Sequence, residues 1–421
     1  MKYKKRVVIL GAGFAGIQTA ITLEKLLDKK TAEIVIINKR LEHIYRPDLY
    51  EIATAYNKDI TDECKIELKE SVAIPLKKIV HSRNVRLIQD TVIAIHEKKK
   101  KVVLENGGDL HFDYLVVTLG SVINYFNISG LEERAHTLKT VTDAIKISCD
   151  LDHLFYQFWS TKKAKDISLI IGGGGATGVE LACELVGYMD KLCEKYAYRR
   201  ERVTIKLIEG SPALVGGDID MTKAILQRFK KLNIICLRET FITKLDEKKV
   251  YLKDSQGIES TSPCDFFIWT GGVKPHPLIQ ESFSGQLSPR GGVMVNEFLQ
   301  MTNYPEIFAG GDNAHIVDEK SAKPVPWLAQ LAVGQGHLIG ENIAALITEK
   351  PMKHYKFHIK GIVIPLGHKY ALFKHNKTIL IGMSMWLLRR LIDLKYAMSV
   401  LPKWYAFQKW WKATTLFSRN D

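Results

Sequence analysis

Residues 170–180 read IIGGGGATGVE, and residues 9–18 read ILGAGFAGIQ. Both carry the spacing G-x-G-x-x-G, as Gly173, Gly175, Gly178 and as Gly11, Gly13, Gly16. Each loop follows a short apolar run, ISLII or VVIL, and opens a stretch compatible with a helix, VELACELVGYM or IQTAITLEKLL. Strand, tight turn and helix in that order bring bare backbone close to a pyrophosphate and point a helix N-terminus at the anion. Two such loops predict two bound dinucleotides.

The repetition extends beyond the loops. Residues 86–120, RLIQDTVIAIHEKKKKVVLENGGDLHFDYLVVTLG, read as short alternating strands, a turn at Asn106-Gly107-Gly108, and an apolar strand closed by Gly120. Residues 236–272 repeat that order and end in Gly271-Gly272. A chain that writes strand, glycine loop, helix, meander, apolar strand and glycine twice is expected to be α/β, with two Rossmann-like domains.

The second strand of each unit bears on the ligand, because its last residue meets the adenosine ribose. VTIKLIEG ends on Glu209, a carboxylate that accepts both ribose hydroxyls and repels a 2′-phosphate, which points to NADH. EIVIINKR ends on Asn38, which can bond a hydroxyl without the charge. The Lys39 and Arg40 that follow suit a solvated turn better than a 2′-phosphate site.

With 421 residues, 46% of them hydrophobic and 25% charged, the chain has room for two or three globular domains. It contains no apolar run long enough to span a bilayer. The strand VVIL starts after only MKYKKR, so a cleaved leader is not expected, and the protein is expected to stay where it is made. The six cysteines form no C-x-x-C pair and no zinc spacing, and read as small buried thiols. His354 and His358 fall in KHYKFHIK, where Tyr355, Phe357 and Ile359 alternate with polar residues, so a strand is expected there rather than a metal site.

In chain order, ILGAGFAG, HIYRPDLYEIATA, DYLVVTLGS, NYFNISGLEERAHTLKTVTDA, IIGGGGATGVELACEL, WTGGVKPHPLI, YPEIFAGGDNA and WLAQLAVGQG resemble type II NADH dehydrogenases. These are single-chain flavoenzymes that pass electrons from NADH to a membrane quinone. The resemblance runs from about residue 6 to residue 372 and implies FAD in the first site and NADH in the second. On that basis Gly11, Gly13, Gly16, Asn38 and Gly120 belong to the FAD site, with Asp312 at the flavin's ribityl chain. Gly173, Gly175, Gly178 and Glu209 belong to the NADH site. Glu180 matches a glutamate placed near nicotinamide and flavin, although a first-turn glutamate would also simply favour the helix dipole. Asp312 returns late to the first domain, so the NADH domain is inserted in the FAD domain. The expected parts are 1–135 and 276–350 for FAD, 136–275 for NADH, and 351–421 for a C-terminal strand and amphipathic helices.

Stacking nicotinamide on isoalloxazine lets hydride pass with no protein acid or base. Related disulfide reductases use C-x-x-x-x-C in the first domain, and sulfide:quinone oxidoreductases need cysteines near the C-terminus. This chain has none before Cys64 or after Cys264, so electrons are expected to leave the flavin for an external acceptor. The family's acceptor signature carries two glutamines. The first is Gln330, and the second falls at Gly334. Gln335 does not restore it, because residues five apart do not share a helix face.

The C-terminal residues 384–417 place Leu387, Leu391, Leu394, Met398 and Leu401 on one helical face, with Arg389, Arg390, Asp393 and Lys395 off it. After Pro402, Trp404, Phe407 and Trp411 share a side with lysines around them. This pattern suits helices lying in a membrane interface, and the alternative cover is the protein's own surface or a twin subunit in a homodimer. A chain ending before Trp386 is expected to stay folded. The net charge of +14 fits an anionic lipid surface on the cytoplasmic side of a cell membrane. Its short clusters KYKKR, EKKKK and KKAK come with no nucleic-acid motif. The expected activity is NADH:quinone oxidation and reduction without proton pumping; the alternative is an NADH-binding flavoprotein sensor or scaffold with little turnover.

Overall fold

The computed structural model describes residues 4–58, 61–80, 84–162, 165–318 and 322–418; Lys2, Tyr3, Lys163 and Ala164 of the basic clusters lie outside them. The chain forms two compact units. One comprises Met1–Ile44, Ala73–Val122 and Val273–Ile359, and the other Tyr45–Val72, Ile123–Gly272 and Lys360–Asp421.

In the first unit, the strand Lys5–Leu10 lies between Tyr114–Val117 and Ala32–Asn38 in a parallel sheet, which Tyr304–Ala309 and Val85–Gln89 extend. The second unit repeats this arrangement. Its strand Ile167–Gly172 lies between Phe266–Trp269 and Val203–Ile208, with His136–Thr137 and Ile234–Leu237 outside them. Val7, Val8, Ile9 and Leu10 are completely buried, as expected of parallel strands covered on both faces. Each unit also carries a three-stranded antiparallel meander, Val92–His96 to Gly108–His111 in the first and Thr240–Leu245 to Glu259–Pro263 in the second. The Rossmann-like α/β expectation is therefore borne out.

The expected parts are cut at 135, 275 and 350, whereas the compact units divide at 122, 272 and 359, with residues 45–72 and 360–421 both in the second unit. The strand expected over 354–359 is not there. Asn342 holds that segment by both polar atoms of its amide, accepting from Lys353 N at 2.8 Å and donating to Lys353 O at 2.9 Å. Tyr355 N donates to Glu297 O at 2.7 Å. With these anchors the segment stays irregular, and the pairing that follows it starts at Ile362–Pro365. Of the cysteines, Cys183, Cys193 and Cys264 are buried as expected, but Cys64, Cys149 and Cys236 are only half-buried.

Candidate functional site

In the first unit, Gly11 closes the strand with φ +96°, and a Cβ there would lie 2.4 Å from the carbonyl oxygen of Thr118. A Cβ at Gly16 would lie 2.0 Å from the oxygen of Gly11, so the helix Phe14–Leu26 can approach the turn only because residue 16 has no side chain. Gly13 is different: nothing lies within 4 Å of its missing Cβ, and it caps the helix with no side-chain bond to the leading N–H groups. Those amides and that space form an anion cradle.

The second unit reproduces the same geometry. Gly173 has φ +109°, a Cβ at Gly178 would lie 2.0 Å from the oxygen of Gly173, and Gly175 caps Ala176–Lys195 beside open space. A threonine, which sequence reasoning missed, braces each turn from the neighbouring strand. Thr118 Oγ1 donates to Leu10 O at 2.8 Å, and Thr270 Oγ1 donates to Gly173 O at 3.0 Å. The signal was available, because TLG and TGG close the two repeats at matching places.

Asn38 and Glu209 sit at equivalent positions and grip equivalent amides. Asn38 Oδ1 accepts from Ala12 N at 2.9 Å, and Glu209 Oε2 accepts from Gly174 N at 2.6 Å. Each side chain therefore ties the loop to the second strand, and only Glu209 brings a charge. Asn38 also donates to Arg40 O at 2.6 Å. A second clamp on Ala12 is His43, buried under Phe14, whose Nδ1 lies 2.9 Å from Ala12 O.

Asp312 sits in the short 3-10 turn Gly311–Asn313, which leads into the strand Ala314–His315. Asp312 Oδ2 accepts from Ser121 Oγ at 2.5 Å, and the buried Asn313 side chain bonds both N and O of Gly120 at 2.7 Å. Gly120, Ser121 and Asp312 are thus held together. Gln335, buried on the helix Ala329–Ile347, accepts from Gly311 N at 2.7 Å. It faces inward, while Gln330 and Gly334 share the exposed face, and nothing lies within 4 Å of the missing Cβ of Gly334. That helix packs closely on Phe14–Leu26, because a Cβ at Gly336 would lie 2.2 Å from Ala15 O.

Glu180 is the fifth residue of its helix, past the first turn, so the helix-dipole account of it does not apply. Burial pushes its carboxyl up to about 8; Arg389 pulls the other way, and Asp48 and Glu51 add to the rise. The second unit also buries an ion network that the sequence did not disclose. Arg389 Nη2 lies 2.7 Å from Asp48 Oδ1, and Arg389 also pairs with Asp393. Arg390 pairs with Glu51 and stands over the rings of Trp386 and Phe417, while Tyr45 donates to Asp393 Oδ1 at 2.7 Å. Arg389 and Arg390, expected in the basic border of the C-terminal helix, are thus on its buried side, while Lys395 stays exposed. The side toward solvent carries large apolar residues, Leu387, Leu391 and Met398 on Met383–Val400 and Trp404, Phe407 and Trp411 on Lys403–Phe417, with the exposed Lys395, Lys403 and Lys412 among them. No helix among the described residues is long and apolar enough to cross a membrane.

Residues 5–336 match the family model of pyridine nucleotide-disulphide oxidoreductases. The chain belongs to that family. Among relatives within it, a type II NADH:quinone oxidoreductase of Staphylococcus aureus (strain MSSA476) is 28% identical over 419 residues, covering 96% of this chain and 98% of the relative. NDH2 from Plasmodium falciparum, solved in complex with NADH, superposes with a TM-score of 0.83 at 17% identity, covering 99% of this chain and 97% of that one. The sulfide:quinone oxidoreductase of Aquifex aeolicus superposes at 0.77 with 20% identity, over 96% and 92% of the two chains. The resemblance to type II NADH dehydrogenases read from the motifs is borne out within this oxidoreductase family.

Proposed function

We propose that this protein is an FAD-dependent NADH:quinone oxidoreductase that serves a membrane quinone without pumping protons. The observation that carries the reading is the duplicated cradle, two uncapped helix N-termini at Gly13 and Gly175 with a loop-gripping residue beside each. The first cradle, with Asn38, Gly120 and Asp312, would hold FAD; the second, with Glu209, would hold NADH. When bound, FAD supplies a two-electron acceptor for the NADH hydride and a two-electron donor to the quinone. Gly13 and Gly175 leave bare backbone for the pyrophosphates to approach, Gly11, Gly16, Gly173 and Gly178 permit the tight turns that hold those amides in place, and Asp312 would accept a ribityl hydroxyl beside the one it takes from Ser121. Gln330, on the exposed side of its helix, donates to a quinone carbonyl, and Gly334 one turn on leaves that side open. Burial raises the Glu180 carboxyl to about 8 and so favours its protonated form. Steady-state NADH oxidation with a short-chain quinone tests the reading; a protein that binds both dinucleotides yet turns over no quinone would be the sensor or scaffold instead.

Glu209→Arg exchanges repulsion of a 2′-phosphate for attraction, so the preference for NADH over NADPH is expected to fall by about tenfold or more. Comparing kcat/KM for the two nucleotides checks this, and an unchanged ratio would remove Glu209 from the ribose site.

Glu180 also makes folding depend on pH. A carboxyl raised by folding stabilises the fold in its neutral form; that contribution is complete below about 4.5 and is lost as the pH climbs through about 8. Glu180→Gln stays neutral, so its melting temperature relative to the parent is expected to rise between pH about 5 and about 9. A difference independent of pH would mean the carboxyl is not held neutral.

The exposed leucines and tryptophans of the C-terminal helices, with Lys395, Lys403 and Lys412 among them, support a peripheral seat on an anionic lipid surface at the cytoplasmic face. Replacing Leu387, Leu391, Trp404 and Trp411 together by serine is expected to release the protein from anionic vesicles by roughly a hundredfold in partitioning, with folding retained because all four are exposed. Co-sedimentation with vesicles reads this out, and equal binding would place the anchor elsewhere. Truncation before Trp386 is not the equivalent test, because it would strip Asp48 and Glu51 of Arg389 and Arg390.

A further inference from the structure

Phe241 is a large apolar side chain left 54% exposed at the start of the second unit's meander. A single exposed phenylalanine needs no explanation by itself, but three features set this one apart. Its ring lies against bare backbone: a Cβ at Gly210 would fall 2.7 Å from Phe241 Cε1 and 2.9 Å from Cδ1, so residue 210 must be glycine for the ring to lie there. Gly210 is the residue immediately after Glu209. The frame around the pair is hydrogen-bonded, with Thr240 N donating to Glu209 O at 3.1 Å, Glu239 N to Ser211 O at 3.3 Å, and Glu209 N to Leu237 O at 2.8 Å.

We propose that Phe241 is the stacking platform for the adenine ring of NADH. This rests on the reading that Glu209 holds the adenosine ribose. The glycosidic bond keeps the base about one ring's width from those hydroxyls, and beyond the carboxylate the chain presents a half-exposed aromatic ring packed on Gly210, on backbone held by three hydrogen bonds. A purine offers a broad π-face, and an aromatic ring covering it contributes to binding without selecting by hydrogen bonds. The charge of Glu209 and the ring of Phe241 divide the adenosine between them, the first reading the ribose and the second holding the base. Gly210 stays bare so that the ring can lie close to the carboxylate.

The test uses the purified holoprotein with ADP-ribose, which carries the adenosine half, and with reduced nicotinamide mononucleotide, which lacks it. Phe241→Leu keeps apolar bulk over Gly210 and removes the π-face; Phe241→Trp enlarges it. Calorimetry is expected to show ADP-ribose binding weakened by about five- to thirtyfold in Phe241→Leu and equal or tighter in Phe241→Trp. The rate at which reduced nicotinamide mononucleotide bleaches the flavin should stay within about twofold in both. If Phe241→Leu binds ADP-ribose as the parent does while Glu209→Arg does not, the platform is overturned and the ribose assignment stands. If the parent itself binds no ADP-ribose, both are overturned.

Discussion

Replacing Arg390 by methionine is expected to destabilise the second unit by about 3 to 5 kcal/mol, more than any single change on the exposed face of the same helix. The reason is desolvation. The Arg390 side chain is 3% exposed and its partner Glu51 5%, so removing the guanidinium leaves a carboxylate in the interior with no water to replace its partner. Asp48 and Asp393, 4.0 and 3.7 Å from Arg390 Nη1, lose part of their compensation as well, although Arg389 remains. Pairing the change with Glu51→Leu should restore much of the loss, because a matched apolar pair incurs no such penalty. Denaturant titration of the two single variants and the double variant measures the coupling. A single variant that loses less than about 1 kcal/mol would show that the network is solvated.

Gly175→Asp is expected to lower NADH affinity by roughly a hundredfold or more while leaving the protein at least as stable as before. The two effects share one cause. Nothing lies within 4 Å of the missing Cβ, the backbone there has φ −67°, and aspartate is a favoured helix N-cap. Its carboxylate would bond the same leading amides that the pyrophosphate needs and repel it besides. Gly178→Ala, by contrast, would drive a Cβ to 2.0 Å from Gly173 O, losing both binding and stability. Nucleotide titration and thermal unfolding of the two variants separate a blocked cradle from a broken turn. If Gly175→Asp still bound NADH with the parent's affinity, the pyrophosphate would not sit at this helix end.

The parts of the fold that were legible in the sequence are those in which local chemistry recurs. Both glycine loops, both meanders and the residues closing both second strands were visible because each repeats at a matching place. Long-range pairing was not visible. Arg389 and Arg390 look like the charged rim of an amphipathic helix, since periodicity reports that they lie off the leucine face but not which face meets the protein. Their partners Asp48 and Glu51 come more than three hundred residues earlier, in HIYRPDLYEIATA, a segment whose resemblance to the family says nothing of which side chains it pairs with. His43 and Gln335 escaped for a related reason: each bonds a backbone group of a turn, Ala12 O and Gly311 N, and no side-chain pattern marks such a partner. The strand expected over 354–359 failed because alternation shows that a segment could pair and says nothing of whether an edge is there to receive it.

The central claim is that electrons pass from NADH through a bound flavin to a quinone. The measurement that tests it most directly is anaerobic stopped-flow absorbance of the purified protein, mixed first with one equivalent of NADH and then with a short-chain quinone. The account predicts that the flavin band bleaches with NADH and returns at a rate proportional to quinone concentration. A flavin that stays oxidised with NADH, or once bleached stays so with every quinone offered, would contradict it.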